Sequence, residues 1–142
     1  MELFTGADDY AAECNRRDLI ARKILLREWM DHFLSRKDVT KLPDGSYDVD
    51  GTVGLYKLKL QRLPLRFRHV SGSFACFCNE LTTLEGAPIY VGEWFSCNDN
   101  RLTSLEYAPR YVGKAFLCYT NAKKFTEAEV RTLCGVGASI CV

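Results

Sequence analysis

The chain has 142 residues and a mass of 16.1 kDa, which is the size of one ordinary domain. Hydrophobic residues make up 47% and charged residues 26%, so the chain can bury a core, and wholesale disorder is excluded. The net charge of +1 does not favour nucleic acid or a membrane surface as a partner. No apolar run has the roughly 18–20 residues of a membrane span, and the N-terminus lacks the basic-then-apolar pattern of a secretory signal. We therefore expect a cytoplasmic protein.

The first predicted element is a helix over roughly Asp8–Ser35, a stretch that lacks Gly and Pro and is rich in helix formers. Its apolar residues spread over more than half of the helix circumference, which is wider than a helix resting on one surface needs. We assign residues 1–41 to a helical N-terminal cap of the domain that follows. The alternative is that part of this helix binds a partner or a second copy of the chain.

A charge asymmetry follows, because residues 51–79 contain no Asp or Glu. The basic residues of this region are Lys57, Lys59, Arg62, Arg66 and Arg68. The predicted helix adds Arg16, Arg17, Lys23 and Arg27. These cations support the hypothesis of a nucleic-acid-binding surface; the alternative is a solvated rim, since no nucleic-acid-binding motif accompanies them.

The central part of the sequence repeats with a period of 21 residues. This interval separates Cys76, Cys97 and Cys118. The same register relates Phe74 to Phe95 and Phe116, Val70 to Val91 and Val112, and Asn79 to Asn100 and Asn121. A weaker copy precedes these units. Each unit fits the leucine-rich-repeat pattern L-x-x-L-x-L-x-x-N-x-L, with Phe and Cys in two of the Leu positions.

These units predict a solenoid, since a single coil has too little apolar surface to fold alone. We expect an α+β fold in which residues 42–121 form about four coils, each with one short parallel strand. Residues two apart on a strand point to the same side, so the Phe and Cys positions belong in the core and the Asn position at the bend. The cysteines are accordingly interpreted as small core residues in a reducing compartment, rather than as metal ligands.

The sequence after residue 121 predicts a C-terminal cap over residues 122–142. Thr126 and Glu129 form a T-x-x-E capping box, so a helix should begin there and run to about residue 134, where Gly135 ends it. We expect its buried side to consist of Val130 and Leu133, and a final strand to be formed by Ile140, Cys141 and Val142.

Four segments between residues 42 and 142 carry a family likeness, namely LPDGSYDVDG, VSGSFACFCNELTTLEGAP, VGEWFSCNDNRLTSLEYAP and FTEAEVRTLC. They resemble short leucine-rich-repeat proteins that are common in bacteriophage genomes. The resemblance implies the repeat fold and a phage origin, and hence a place of action in the cytoplasm of the host cell. It implies no particular activity, because a fold does not determine a function.

Strand alternation predicts one exposed face. If Phe95 and Cys97 point inward, the residues beside them point outward, as do the equivalent residues one period away. The residues expected on this concave face are Tyr56, Phe77, Trp94, Ser96, Asn98, Leu117 and Tyr119. Contiguous exposed aromatic residues are typical of partner-binding surfaces, so we expect the face to bind a host or phage protein. The alternative is that the N-terminal helix covers it.

Few features of the sequence indicate an enzyme. The two histidines, His32 and His69, do not neighbour a nucleophile or a carboxylate at a catalytic spacing, and there is no Gly-rich phosphate loop. We expect no catalytic residue, no metal and no cofactor. The predicted function is a non-enzymatic protein-binding module, in its sharpest form a phage counter-defence inhibitor of a CRISPR or restriction effector. The alternatives are nucleic-acid binding through the basic region and self-association; the partner and the oligomeric state stay open.

Overall fold

A computed structural model describes residues 7–137 and 139–142 of the chain, with side chains from residue 16 onward. The chain divides into two compact units, the first ending at Ser35 and the second spanning Arg36–Val142. The first unit contains one long helix, α1 (Ala7–Leu34), where the sequence predicted a helix. Its role as a cap or as a docking element stays a prediction.

The second unit is a β-solenoid of about four turns. Its elements are β1 (Val39–Lys41), β2 (Tyr47–Val49), β3 (Val53–Gly54), β4 (Phe67–Val70), β5 (Phe74–Ala75), β6 (Tyr90–Val91), β7 (Trp94–Ser96), β8 (Tyr111–Val112), β9 (Ala115–Leu117), α2 (Glu127–Leu133), β10 (Gly135–Val136) and β11 (Ser139–Cys141). They form two sheets. Sheet 1 has the order β1-β2-β4-β6-β8-β10, and sheet 2 has the order β11-β9-β7-β5-β3. All strand pairs are parallel except β1–β2.

The expectation of one strand per coil is wrong, because each coil contributes one strand to each sheet. Glycines make the corner between the two strands possible. A Cβ on Gly92 would lie 2.0 Å from the carbonyl oxygen of Ser71, and a Cβ on Gly113 would lie 2.0 Å from that of Gly92. Because Gly92 and Gly113 lack a Cβ, each of these corners can pack directly on the backbone carbonyl of the corner before it. The leucine-rich-repeat pattern that was matched to the sequence predicts only one of the two strands in each coil.

The core consists of columns of identical positions, as the period predicted. Phe74, Phe95 and Phe116 are fully buried, and their ring centroids are 5.9 Å and 5.1 Å apart along the column. The valine column and the cysteine column of the repeat are buried beside them. The interpretation of Phe and Cys as core residues is therefore confirmed.

The asparagines join successive coils at the bend after sheet 2. The side-chain amide of Asn100 donates to the carbonyl oxygen of Cys97 in its own coil and to that of Cys76 in the coil before, at 3.2 Å and 2.9 Å. Its carbonyl oxygen accepts from the backbone N–H of Leu81 at 3.0 Å. Asn79 and Asn121 make equivalent bonds. The predicted position of these asparagines at the bend is confirmed, and their side chains satisfy backbone groups of two successive coils there.

The two ends of the solenoid depart from the predicted boundaries. At the start, β1 pairs with β2, so residues 36–41 belong to the solenoid although they were assigned with residues 1–35. At the end, the hydroxyl of Thr126 accepts from the backbone N–H of Glu129 at 3.2 Å, and α2 begins at residue 127. Gly135 does not end this helix. Cys134 is already extended, and Gly135 opens β10.

The helix α2 buries fewer of its residues than the sequence predicted. Val130 is buried as expected, but Leu133 is 50% exposed, because the chain leaves the helix at this residue for β10. The predicted final strand is present as β11, and its Ile140 pairs with Phe116 of β9.

Candidate functional site

The outward side of sheet 2 carries no charged residue in any of its three columns. We call this surface the uncharged face. Its members are Ser73, Trp94, Ala115 and Ser139 in the first column, Gly54, Ala75, Ser96, Leu117 and Cys141 in the second, and Tyr56, Phe77, Asn98 and Tyr119 in the third. Strands in a sheet lie about 4.8 Å apart, so neighbouring members of a column are in contact distance. The face spans five strands, and within it Ala115 and Asn98 are themselves buried.

Two aromatic residues form a stacked pair at the β3 end of the uncharged face. The rings of Tyr56 and Phe77 are parallel to within 2°, with centroids 5.0 Å apart. Tyr56 lies over Gly54, since a Cβ on this glycine would come within 3.1 Å of the tyrosine ring. Tyr56 remains 50% exposed, so the pair is a preformed aromatic surface that keeps one side open to solvent.

Two further aromatic residues stand out from the same face. Trp94 is 48% exposed and Tyr119 is 40% exposed. Between them, Ser96 and Leu117 are neighbours across β7 and β9, and both are half-buried. The aromatic side chains of Trp94 and Tyr119 therefore lie on either side of a central column with smaller side chains.

The prediction that Asn98 is exposed is wrong, because this side chain is only 6% exposed. It lies between Phe77 and Tyr119 in the third column, and its amide donates to the carboxylate of Asp99 at 2.8 Å. The four predicted aromatics therefore do not form one continuous stack. They form a stacked pair and two separate anchors.

Sequence reasoning missed a second aromatic ladder, which lies on sheet 1. The ring of Tyr90 stacks on His69 at 4.3 Å and on Tyr111 at 5.0 Å, with interplanar angles of 8° and 9°. We call these three residues the sheet 1 ladder. The signal was present in the sequence, since residues 69, 90 and 111 are one period apart. Beside the ladder, the guanidinium of Arg68 binds the carboxylate of Asp48 at 2.5 Å.

The predicted basic region is distributed around the coil. Arg68 is in sheet 1, where its hydrogen bond lowers the pKa of Asp48. Arg66 donates to the carbonyl oxygen of Asp44 in the preceding connection. Lys57 and Lys59 lie in the bend after sheet 2, where both have positive φ. Exposed positions are held by Arg62 on the connection between the sheets and by Arg16, Arg17, Lys23 and Arg27 on α1. The solenoid cations thus do not form one face.

The three core cysteines have unreactive thiols. Burial raises the pKa of the Cys76 thiol to about 12 and that of Cys118 to about 11, and it also raises the pKa of Cys97 well above its usual value. The thiolate is the reactive form, so these groups are poor nucleophiles and poor metal ligands at neutral pH. Within the described residues, no three His, Cys, Asp or Glu side chains are grouped so that they can hold a metal ion.

None of the helices in the described part of the chain combines the length and the apolar character that a bilayer crossing requires. No protein-family model, curated protein or solved structure shows significant similarity to the chain.

Proposed function

We propose that the protein is a non-enzymatic binding module that recognises a partner protein through the uncharged face. One observation carries this proposal: Tyr56, Trp94 and Tyr119 are each 40% exposed or more on a sheet surface that has no charge. Contiguous exposed apolar area is typical of interaction sites. Trp and Tyr are also enriched among the residues that contribute most to interface affinity.

The chemistry of the uncharged face favours a protein over a nucleic acid. Binding to a nucleic acid draws most of its affinity from cations that neutralise phosphates, and the three columns contain none. The centre of a protein interface is instead depleted of charge and enriched in aromatic residues. The partner that fits best presents an apolar surface able to enclose Trp94 and Tyr119.

In its most specific form, the proposal is that this solenoid is a phage leucine-rich-repeat protein that binds and inhibits a host protein in the host cytoplasm. The resemblance of residues 42–142 to phage repeat proteins supports this version. A CRISPR or restriction effector is the class of target that we propose. An inhibitor of this kind needs a binding face and no catalytic group.

The proposal is tested by placing a photo-crosslinking residue at Ser96, in the centre of the uncharged face, and identifying the protein that it captures in host lysate. The affinity of the purified pair is then measured with the double variant Trp94→Ala, Tyr119→Ala. Loss of two anchors of more than about 1 kcal/mol each should weaken binding about 30-fold or more.

The matched control is Tyr111→Ala, which removes an aromatic residue of similar exposure from sheet 1. It should leave the affinity unchanged. Full affinity of the double variant, or an equal loss in the control, would show that the uncharged face is not the binding site.

A second candidate function is the binding of single-stranded nucleic acid on sheet 1. It is favoured by the position of exposed Arg110 beside Tyr111 of the sheet 1 ladder, because cations next to aromatic residues are typical of such sites; Arg68 on the same sheet is already paired with Asp48. Affinity for a labelled oligonucleotide should then fall steeply with salt and should fall further in Arg110→Gln. Absence of binding at low salt would exclude this function.

A further inference from the structure

An open cavity of about 460 Å³ lies between the connections that lead from sheet 2 to sheet 1 in two successive coils. Residues 62–66 line one side of it, and Thr83, Glu85 and Gly86 line the other. A volume of this order is in the range of small-molecule sites. The cavity belongs to neither the uncharged face nor the sheet 1 ladder.

Two arginines line this cavity, and neither is neutralised by an ion pair. The guanidinium of Arg66 donates to the backbone carbonyl oxygen of Asp44. The carboxylate of Asp44 instead accepts from the N–H and the hydroxyl of Ser46, at 2.9 Å and 2.6 Å. These two bonds precede Arg66 among the causes that lower the pKa of Asp44. The side chain of Arg62 makes no hydrogen bond or ion pair with any described residue, so both positive charges are accessible to a ligand.

The remaining polar groups of the lining are a hydroxyl and one carboxylate. The hydroxyl of Thr83 accepts from the backbone N–H of Glu85 at 3.1 Å, which leaves its own proton free to donate. The carboxylate of Glu85 is exposed and pairs with neither arginine in the described part of the chain. The lining therefore combines two guanidiniums and a hydroxyl donor with a single acid.

A backbone donor is also unpaired beside the cavity. In the next two coils, the N–H groups of Ala87 and Ala108 close a turn by donating to Leu84 and Leu105, at 2.8 Å and 3.0 Å. The N–H of Arg66 occupies the equivalent place, one period before Ala87, and makes no such bond with a described residue. The first coil thus leaves open a hydrogen bond that the later coils form.

Both arginines also depart from the 21-residue repeat. The equivalent residues one and two periods later are Thr83 and Ser104 for Arg62, and Ala87 and Ala108 for Arg66. The later coils pack with short side chains at these places, so packing of the coils does not require arginine there. Two departures that place a cation on the same cavity indicate a role in binding.

We propose that this cavity binds the phosphate group of a small phosphomonoester. The planar guanidinium forms paired hydrogen bonds with the oxygens of such a group. A phosphomonoester has a charge of about −1.5 to −2 near pH 7, which two arginines can neutralise together. Pro64 and Leu65, which are half-buried in the lining, provide an apolar wall for the organic part of the ligand.

The charge of the site favours a phosphomonoester over other anions. A carboxylate or a phosphodiester has a single negative charge, so it leaves one of the two guanidiniums without a counter-charge. A nucleic-acid strand needs a row of cations along its backbone, whereas this cavity has Glu85 beside its two. The site uses none of the residues of the uncharged face, so it stands independently of the proposed function.

Titration of the isotope-labelled full chain with phenyl phosphate, followed by amide and arginine side-chain NMR signals, tests this proposal. We expect saturable shifts at Arg62, Arg66 and Thr83 with a Kd of about 1 mM or below, and competition by inorganic phosphate. Phenyl sulfate has the same shape and one negative charge, and it should bind about 10-fold more weakly.

Three variants assign the binding to this cavity. Arg62→Gln alters a side chain without a partner, so it should leave the melting temperature unchanged and weaken phenyl phosphate binding about 10-fold. Arg66→Gln should weaken it at least as much. Glu85→Gln should tighten it, because the substitution removes the one negative charge of the described lining. The matched control is Arg110→Gln, which removes an exposed arginine of sheet 1 and should leave the affinity unchanged.

Three results would overturn the proposal. The first is the absence of saturable shifts at Arg62 and Arg66. The second is equal affinity for phenyl phosphate and phenyl sulfate, which would indicate attraction to positive charge in general. The third is a loss in Arg110→Gln as large as that in Arg62→Gln, which would place the phosphate on sheet 1.

Discussion

The two sheets of the solenoid share one backbone period but expose different chemistry. The uncharged face of sheet 2 presents separate aromatic anchors, with Trp94 and Tyr119 nearly half exposed. The sheet 1 ladder stacks its rings on one another, and the ion pair of Arg68 with Asp48 lies beside it. A ring that is stacked on both sides, as that of Tyr90 is, stabilises the fold, whereas rings that keep an open side, such as those of Trp94 and Tyr119, remain available to a partner.

The comparison shows where a repeat constrains its sequence. Inward positions contact the coils above and below, so Phe95 and Cys97 are repeated almost unchanged. Outward positions contact mainly their own column, so a change there costs little stability. Ser73, Trp94 and Ala115 occupy the same place in three successive coils.

The largest loss of stability is expected when the corner between the two sheets is disturbed. Gly113→Ala would put a Cβ 2.0 Å from the carbonyl oxygen of Gly92. Because both groups belong to the backbone, neighbouring coils must move apart, and we expect a loss of about 4 kcal/mol. The measurement is the free energy of unfolding in urea.

The control for this substitution is Gly135→Ala in β10, where the nearest atom to a new Cβ is 3.8 Å away. It should change stability by less than about 0.5 kcal/mol. Similar effects of the two substitutions would show that the corner contact does not hold the coils.

The next largest effect concerns the bend after sheet 2. Asn100→Ala would leave the carbonyl oxygens of Cys76 and Cys97 and the N–H of Leu81 without their shared partner. Loss of these buried hydrogen bonds should cost about 2–3 kcal/mol in urea unfolding. The control is Asn98, two residues earlier, whose side chain makes a single hydrogen bond, to Asp99. Asn98→Ala should therefore lower the unfolding free energy by less than half as much. An equal cost would contradict the special role of the repeated asparagine.

The contrast between stacked and free rings is sharpened by two alanine substitutions. Tyr90 is stacked on both sides, so Tyr90→Ala should lower the unfolding free energy by about 1–2 kcal/mol. Trp94→Ala should have a smaller effect, of about 0.5 kcal/mol, since nearly half of this residue is exposed and its ring stacks on no other. Thermal and urea unfolding measure both. A larger loss for Trp94 would mean that it is a structural residue.

The smallest effect is the pH dependence contributed by sheet 1. The hydrogen bond from Arg68 lowers the pKa of Asp48, so the folded state holds the ionised carboxylate more firmly than the unfolded state does. This stabilisation is present above the usual aspartate pKa and is lost as the pH falls below about 4. Asp48→Asn should therefore lower stability by less than about 1 kcal/mol at pH 7 and have less effect at pH 3. Melting temperatures at both values provide the measurement, and an effect independent of pH would contradict it.

Much of the fold follows from the 21-residue period. The three phenylalanines, the three asparagines and the final strand, β11, are where the sequence places them. The candidate site was predicted less completely. Trp94, Tyr119 and Tyr56 are exposed, but Asn98 is buried, and the sheet 1 ladder was overlooked although its period was visible.

The sequence by itself determined which residues of each coil face the core, because alternation along a strand and repetition between coils are local properties of the chain. Only the tertiary structure decided how many strands a coil contains, because a corner at Gly92 depends on the carbonyl of Ser71 in another coil. It also decided which outward rings stack and which stand free, since that depends on the side chain one coil away.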